Sequence, residues 1–440
     1  MVKRGEAPKI FFGWWMVWAA AILSFWGQSL GTFGFSALFK PIAAELNFTR
    51  AATSVAAALG RLEGGLVLPF AGWAADKFGP KNIVFFGVFI AGLSLILMNF
   101  VHSLWIFYLV WGILLGTGVN MGVGPPTLDK AITNWFVRKR GSALTIRWAF
   151  FALAAVAGLP LVGWLVSTQG WRMTCVISGI IMLAVGLPLA WFFIKQHRPE
   201  YYGLLPDGAT TRGVIETSQM IDQGVKYAAE SDEIEFTLRQ SMKTPAYWLF
   251  TAGSVAFGIV PPVLIIHAVP FLTDMGIDPL KAALLTGLMS AGSIPGTLLG
   301  GMVADRVKKQ HLRFLLIWLV FVTEIIGFVI FLLNKTLIAA FPMFIFHHFA
   351  GGVWGPLRSV LLARYFGRKA FGSIQGTSTM FVLPTSVGGP ILAGWVYDTT
   401  GNYMPVLVLC LVLLVLGTIF ILMTSPPRPP TRITGINEIV

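Results

Sequence analysis

The run Gly72-Trp73-Ala74-Ala75-Asp76-Lys77-Phe78-Gly79-Pro80-Lys81 returns in altered form as Gly301-Met302-Val303-Ala304-Asp305-Arg306-Val307-Lys308-Lys309, with the two aspartates 229 positions apart. A second pair, Trp135-Phe136-Val137-Arg138-Lys139 and Tyr365-Phe366-Gly367-Arg368-Lys369, repeats at an offset of 230. In a chain of 440 residues an offset near one half describes a duplicated unit. A repeat of that size decides the architecture before any local reading does. Both stretches are short charged loops between long apolar segments, so the duplicated unit is a set of membrane helices, the arrangement of a transporter.

Composition agrees with this. Only 12% of residues are charged, about half the ~25% usual in a soluble domain, and the mean hydropathy is +0.75. The pattern reads as an all-α membrane protein of twelve transmembrane helices in two pseudo-symmetric six-helix bundles. The first six segments are Phe11–Leu38, Ala51–Trp73, Ile83–Phe100, Trp105–Trp135, Ser142–Val166 and Trp171–Ile194. The last six are Ala246–Leu272, Leu280–Val303, Leu312–Leu333, Leu337–Phe366, Phe371–Tyr397 and Pro405–Met423. The expected units are therefore an N-terminal bundle (1–194), a polar linker (195–243), a C-terminal bundle (244–424) and a tail (425–440). A short amphipathic helix is expected in the linker around Ile234–Met242.

The formal net charge of +13 does not indicate a nucleic-acid partner, because the bases sit in short loops. Twenty-three of them fall on the side of the N-terminus and linker and five on the other, as Lys40, Arg50, Arg172, Lys281 and Lys335. This bias places both termini and the linker in the cytoplasm of a plasma membrane, with a bacterial inner membrane expected. Cys175 and Cys410 stand alone within apolar segments and read as packing residues, with no disulfide framework and no metal cluster.

A Gly-x-x-x-Asp-Lys/Arg motif after the second and eighth segments resembles the major facilitator superfamily. Three stretches are similar to its monocarboxylate transporter branch and that branch's bacterial relatives, the oxalate/formate antiporter-like proteins among them. They are Phe12-Gly13-Trp14-Trp15-Met16-Val17, Phe39-Lys40-Pro41, and Trp135-Phe136-Val137-Arg138-Lys139-Arg140-Gly141-Ser142-Ala143. The linker opening, Arg198-Pro199-Glu200-Tyr201-Tyr202-Gly203-Leu204-Leu205-Pro206-Asp207-Gly208, is similar to bacterial members. The chain departs from the branch in its eighth segment, which carries no charge between Lys281 at its outer end and Asp305. Anion recognition is therefore sought elsewhere.

A charge inside the membrane costs at least about 2.5–3.5 kcal/mol, so each one marks a candidate. Arg147 lies seven residues past Arg140, about 10 Å deeper. Its guanidinium suits bidentate capture of a carboxylate, and a pair with Glu63 or Asp129 satisfies it equally well. Arg61 and Arg358 are further candidate anion ligands, with Asn120, His267, Trp354 and Gln28 as polar or amphipathic groups at cavity level. Glu63 and Asp129 are candidate proton carriers; Asp129 is also placed to pair with the Arg138–Arg140 cluster. Glu324 is expected to be hydrogen-bonded to a neighbour. Asp76, Arg138, Arg140, Asp305 and Arg368 are candidate gating residues. The resemblance implies that Asp76 grips the eleventh helix and the Arg138–Arg140 segment when the cytoplasmic side is closed.

Gly116-x-Gly118 follows no strand and precedes no P-loop lysine, so no nucleotide or other cofactor is expected. The absence of a dense Ser/His/Asp or metal cluster argues against an enzyme. The expected activity is secondary transport of a small organic anion, a mono- or dicarboxylate, by alternating access with a proton as co-substrate, by a monomer in the lipid bilayer. Anion exchange, and efflux of hydrophobic or drug-like compounds, are the alternatives.

Overall fold

The computed structural model describes residues 10–48, 50–209, 217–229 and 234–428. Among these there is no strand. Nine stretches are long and apolar enough to cross a membrane. One of them, Arg140–Phe193, is two spans broken at Gly170, whose φ of 76° suits glycine. Two more spans fall outside that test: 12–45, interrupted by a π turn at Ser29–Phe33, and Arg50–Phe78, which carries five charged residues. The total is twelve.

The spans are α1 (12–45), α2 (Arg50–Phe78), α3 (Pro80–Leu97), α4 (Leu104–Trp135), α5 (140–169) and α6 (171–193) in the first half. The second half holds α7 (Pro245–Asp274), α8 (279–306), α9 (Lys309–Asn334), α10 (Leu337–Phe366), α11 (Phe371–Thr400) and α12 (Met404–Met423). The first helix is longer than its apolar run implies, and α2 continues past Trp73 to Phe78, because backbone hydrogen bonding carries on beyond the hydrophobic register.

The halves meet along two helix pairs, α2 with α11 and α5 with α8. The repeat offset relates α2 to α8 and α5 to α11, so the pairs are pseudo-symmetric copies of one contact. Both are tightest at the ends nearest the linker. A side chain on Gly72 would strike the backbone carbonyl of Gly372, and one on Gly141 the carbonyl of Gly301. Only glycine lets two helix backbones approach this closely.

On the far side, Arg172 ties the ends of three helices together. Its Nε donates to Glu45 Oε1 at 2.7 Å and its other nitrogens to the carbonyls of Asn99 (2.6 Å) and Val101 (2.9 Å). The Trp171 indole donates to Glu45 Oε2 at 2.5 Å.

Linker residues form a helix at Thr217–Ala229 and a shorter one at Leu238–Met242, opened by a capping box between Thr237 and Gln240. The expected helix from Ile234 thus begins four residues later, since 234–237 is extended and bonds to α10 through Phe236 N–H and the Phe366 carbonyl, 2.9 Å. Most of the expected tail, 429–440, lies outside the described residues.

Candidate functional site

Between the halves at mid-membrane lies a cavity of about 510 Å³. It is walled by Thr32 and Phe35 of α1, by Gly60 to Leu68 of α2 and by Trp111 to Asn120 of α4. From the other half come Pro261, Pro262, Ile265 and Ile266 of α7 and Thr379 to Ser386 of α11. The adjacent prolines of α7 follow a break in that helix at Ile259 and place a discontinuity on the cavity wall. The described lining carries no ionised side chain; its polar groups are Thr32, Asn120, Thr379 and Ser386.

A positive charge stands directly behind this wall. Arg358 on α10 donates through Nη2 to Thr379 Oγ1 at 2.9 Å and to Ser378 Oγ at 3.4 Å. Its Nε is buried and has no hydrogen-bond partner. No carboxylate among the described residues forms an ion pair with it. Asn120 faces the cavity while its amide donates to the Gly116 carbonyl at 2.8 Å. Glu63 turns from α2 toward α4, where Thr117 Oγ1 donates to its Oε1 and Oε2 is left without a partner. Arg61 belongs to α2, and its side chain lies outside the described residues.

Besides Arg358, four of the expected ligands do not line the cavity. Arg147 is fully buried and pairs with Asp129 at 3.2 Å, with a further bond from Nη2 to the Val123 carbonyl at 3.1 Å. The turn of α5 aims it at α4 instead of the cavity, and the buried aspartate supplies the counter-charge that an isolated guanidinium needs. Trp354 is stacked on Phe257, with ring centroids 4.5 Å apart, because its face of α10 meets the aromatic side of α7. His267 spans α7, α11 and the start of α12 through Tyr403 Oη (3.1 Å) and the Pro390 carbonyl (3.0 Å). Gln28 accepts from Thr32 Oγ1 at 2.6 Å and so stands one residue behind the wall. Glu324 is hydrogen-bonded to His347 at 2.5 Å in a buried pair between α9 and α10.

Toward the linker the cavity is closed by a layered set of polar contacts. Asp129 joins the halves, since its Oδ2 accepts from Ser359 Oγ at 2.6 Å and from Gln375 Nε2 at 3.1 Å. It has no contact with the Arg138–Arg140 cluster, which lies beyond the end of α4. Ser359 is 230 positions from Asp129, the repeat offset itself. The bond therefore crosses the pseudo-twofold between equivalent positions.

One layer further out, Asp76 accepts from the first N–H groups of α11, Gly372 at 3.1 Å and Ser373 at 2.7 Å, and pairs with Lys130 at 2.8 Å. Asp305 does the same for α5, accepting from Gly141 at 2.6 Å and Ser142 at 2.7 Å. Each aspartate thus sits at the positive end of a helix in the opposite half. The cation on Asp76 is Lys130, not the Arg138–Arg140 segment. Lys130 does not reach for solvent; it is buried and also donates to the carbonyls of Arg368 and Lys369. Arg140 folds back on the carbonyls of Phe136 and Thr133, and Arg138 lies over the Tyr227 ring. Arg368 crosses to the Asn134 carbonyl at 2.8 Å and to Glu200 of the linker at 3.5 Å.

Sequence reasoning missed Lys130 as a closing residue, and with it Ser359, Gln375, Glu200 and Asp207. For Ser359 a signal existed, the offset of 230 from Asp129. Asp207 takes the place expected of Asp76 on the α4–α5 loop. Its carboxylate accepts from the backbone N–H groups of Val137, Arg138 and Lys139 at 2.9–3.3 Å, with Tyr227 Oη at 3.2 Å. Asp207→Ala is expected to lower stability by about 1.5–3 kcal/mol, because buried donors to a charged acceptor lose it together. Asp207→Asn, which keeps one acceptor and tolerates the φ of 60° at this position, should lose less. Thermal unfolding in detergent of both variants measures this, and an alanine variant as stable as the parent would refute it.

The comparisons agree with this geometry. A family model described as the Major Facilitator Superfamily matches residues 17–388. The chain is 27% identical over 413 residues to Monocarboxylate transporter 13 of Bos taurus, covering 92% of this chain and 87% of that one. It is 26% identical over 241 residues to the probable sulfoacetate transporter SauU of Cupriavidus necator, covering 54% and 53%. In fold it resembles the proton:xylose symporter XylE bound to 6-bromo-6-deoxy-D-glucose, with a TM-score of 0.70 at 14% identity over 93% of this chain and 96% of that one. Two pseudo-symmetric six-helix halves, a cavity between them and a motif loop gripping the opposite half at each pseudo-equivalent position all belong together, and the chain is a member of the Major Facilitator Superfamily, a multi-pass membrane transporter and not an enzyme.

Proposed function

We propose that the protein carries a small organic anion, a mono- or dicarboxylate, across the plasma membrane by alternating access, with a proton as co-substrate. The observation that carries this reading is Arg358, a buried cation without a carboxylate partner that touches the cavity wall through Thr379. A substrate carboxylate entering beside Thr379 supplies the missing counter-charge, and a bidentate Arg–carboxylate contact is among the stronger polar contacts available. The two relatives described above are named for a monocarboxylate and for sulfoacetate, both organic anions with a carboxylate. Thr32, Asn120 and Ser386 orient the remainder of the substrate, and Arg61 stays a candidate from its place between Gly60 and Gly64 on the cavity wall.

Glu63 carries the proton in this reading, since one of its oxygens is already unpartnered beside the cavity glycines Gly60, Gly64 and Gly116. When the linker side opens, Ser359 and Gln375 leave Asp129 with the second half, and the bonds of Asp76, Asp305 and Arg368 across the interface break together. Arg147 keeps its pair with Asp129, since both belong to the first half. The charge bias puts the linker and termini in the cytoplasm, and the monomer is the working unit.

The test is uptake of radiolabelled short-chain mono- and dicarboxylates into proteoliposomes, with and without an inward proton gradient. Arg358→Ala is expected to raise KM about tenfold or more, the loss of a charge-assisted contact. Glu63→Gln is expected to remove the gradient stimulation while substrate exchange persists. Unchanged KM in a well-folded Arg358→Ala variant would sink the anchor, and no uptake of any acid by the parent would sink the anion reading. The apolar wall of Leu68, Leu115, Ile265, Ile266 and Leu383 favours the second reading, efflux of hydrophobic compounds, in that outcome.

A further inference from the structure

On the outer surface of the first half, where α3 begins and α6 ends, three lysines lie on aromatic faces. Lys81 Nζ is 3.9 Å from the Trp191 ring centroid. Lys195 Nζ is 4.6 Å from that of Phe12 and 5.9 Å from that of Tyr202. Lys77 on α2 sits 5.1 Å from the centroid of Trp73. Phe85 packs edge-on against Trp191 at 5.3 Å, so α3 and α6 form one shelf beneath Lys81, and Phe12 beneath Lys195 stacks on Phe193 of α6 at 6.4 Å. The outward side of that shelf is apolar and open, with Phe86 and Phe192 among its exposed residues.

What distinguishes these lysines is that each lies over an aromatic ring without a carboxylate beside it. Lys130, Arg147, Arg172, Arg198 and Arg368 all have a carboxylate within the protein. None of the ion pairs among the described residues includes Lys77, Lys81 or Lys195. The Lys195 amine is pushed below its ordinary range, first by burial and then by the charge of Lys81. Lys195 follows Trp191, the ring beneath Lys81, by four residues, so the two ammonium groups share one corner of the surface where α6 ends, at the rim of the membrane.

We propose that Lys81 and Lys195 form a headgroup site for an anionic phospholipid. The lipid phosphate sits between the two ammonium groups and offsets their repulsion, with Lys77 at the margin of the site. The acyl chains lie along the exposed aromatic face of α3 and α6. That face is the reason the occupant is a lipid and not a soluble phosphate, since only hydrocarbon covers it favourably. Basic residues beside the membrane surface favour anionic lipids individually, and two converging on one headgroup act together.

The proposal is tested by native mass spectrometry of the full chain, released from detergent with equimolar phosphatidylglycerol and phosphatidylcholine. The parent protein is expected to retain phosphatidylglycerol preferentially. The Lys81→Gln/Lys195→Gln double variant should lose that preference by about tenfold or more, and Lys81→Arg/Lys195→Arg should keep it. A Lys40→Gln/Lys335→Gln control, on the far side, should behave as the parent, and melting temperatures show that each variant is folded. Equal preference in the glutamine double variant overturns the site. Displacement of the lipid by excess inorganic phosphate overturns the lipid assignment in favour of a soluble anion. The readout is binding, so it stands or falls apart from any transport result.

Discussion

Replacing Arg147 by alanine is expected to destabilise the protein by about 3–5 kcal/mol, the penalty for leaving a buried charge without its partner. Both side chains of the Arg147–Asp129 pair are fully buried. Asp129 would keep Ser359 and Gln375, two neutral donors, but lose the cation paired with it. Removing both charges together behaves differently. Arg147→Met with Asp129→Leu should recover most of the lost stability, because a buried pair replaced by apolar residues of similar volume is often near neutral. That double variant should still fail to transport, since Asp129 is the point at which the two halves are bonded across the pseudo-twofold. Thermal unfolding in detergent reads the first effect and proteoliposome uptake the second. A single Arg147→Ala variant that melts with the parent would show that the pair carries no such weight.

Gly72→Val is expected to empty the linker-side-closed state. A Cβ at this position runs into the backbone carbonyl of Gly372, and a backbone cannot rotate aside as a flexible side chain does. Overpacking of this kind costs about 1–3 kcal/mol. Here it falls only on the state in which α2 and α11 touch, so the ratio of closed to open states moves by about 5- to 150-fold. Spin labels on Lys139→Cys and Lys369→Cys, both exposed on the linker side, measure the separation of the halves. The variant should populate longer distances than the parent, and Gly141→Val, in the pseudo-symmetric contact of α5 with α8, should do likewise. An unchanged distance distribution would mean that the helices do not need this approach.

Much of the fold was legible because a membrane allows few solutions. A spanning segment must satisfy its own backbone, so long apolar runs declare themselves as helices. The offsets of 229 and 230 then pair the halves without any knowledge of their packing. Buried charges stood out for a similar reason, since each is costly enough to need a cause. What they touch was less legible. Arg147 and Asp129 were both recognised as candidates, with their pairing left as one possibility among several. The turn by which α5 faces α4 is set by side-chain packing along both helices, and no local pattern records it. Asp76 was matched with the right helix, α11, and the wrong cation. Lys130 reaches it because the end of α4 is buried against the α10–α11 loop, where an uncapped lysine finds carbonyls instead of water.

Sequence alone therefore determined that this chain is a duplicated twelve-helix transporter, which residues are costly to bury, and which loops grip the opposite half. Tertiary structure decided which buried charges pair with one another and which forms no ion pair. Arg147 is consumed by Asp129, while Arg358 stands behind Thr379 without a carboxylate. The physical reason is that burial sets a price on a charge from its own position in the chain, whereas its partner is chosen by the rotation and close approach of helices that are distant in sequence.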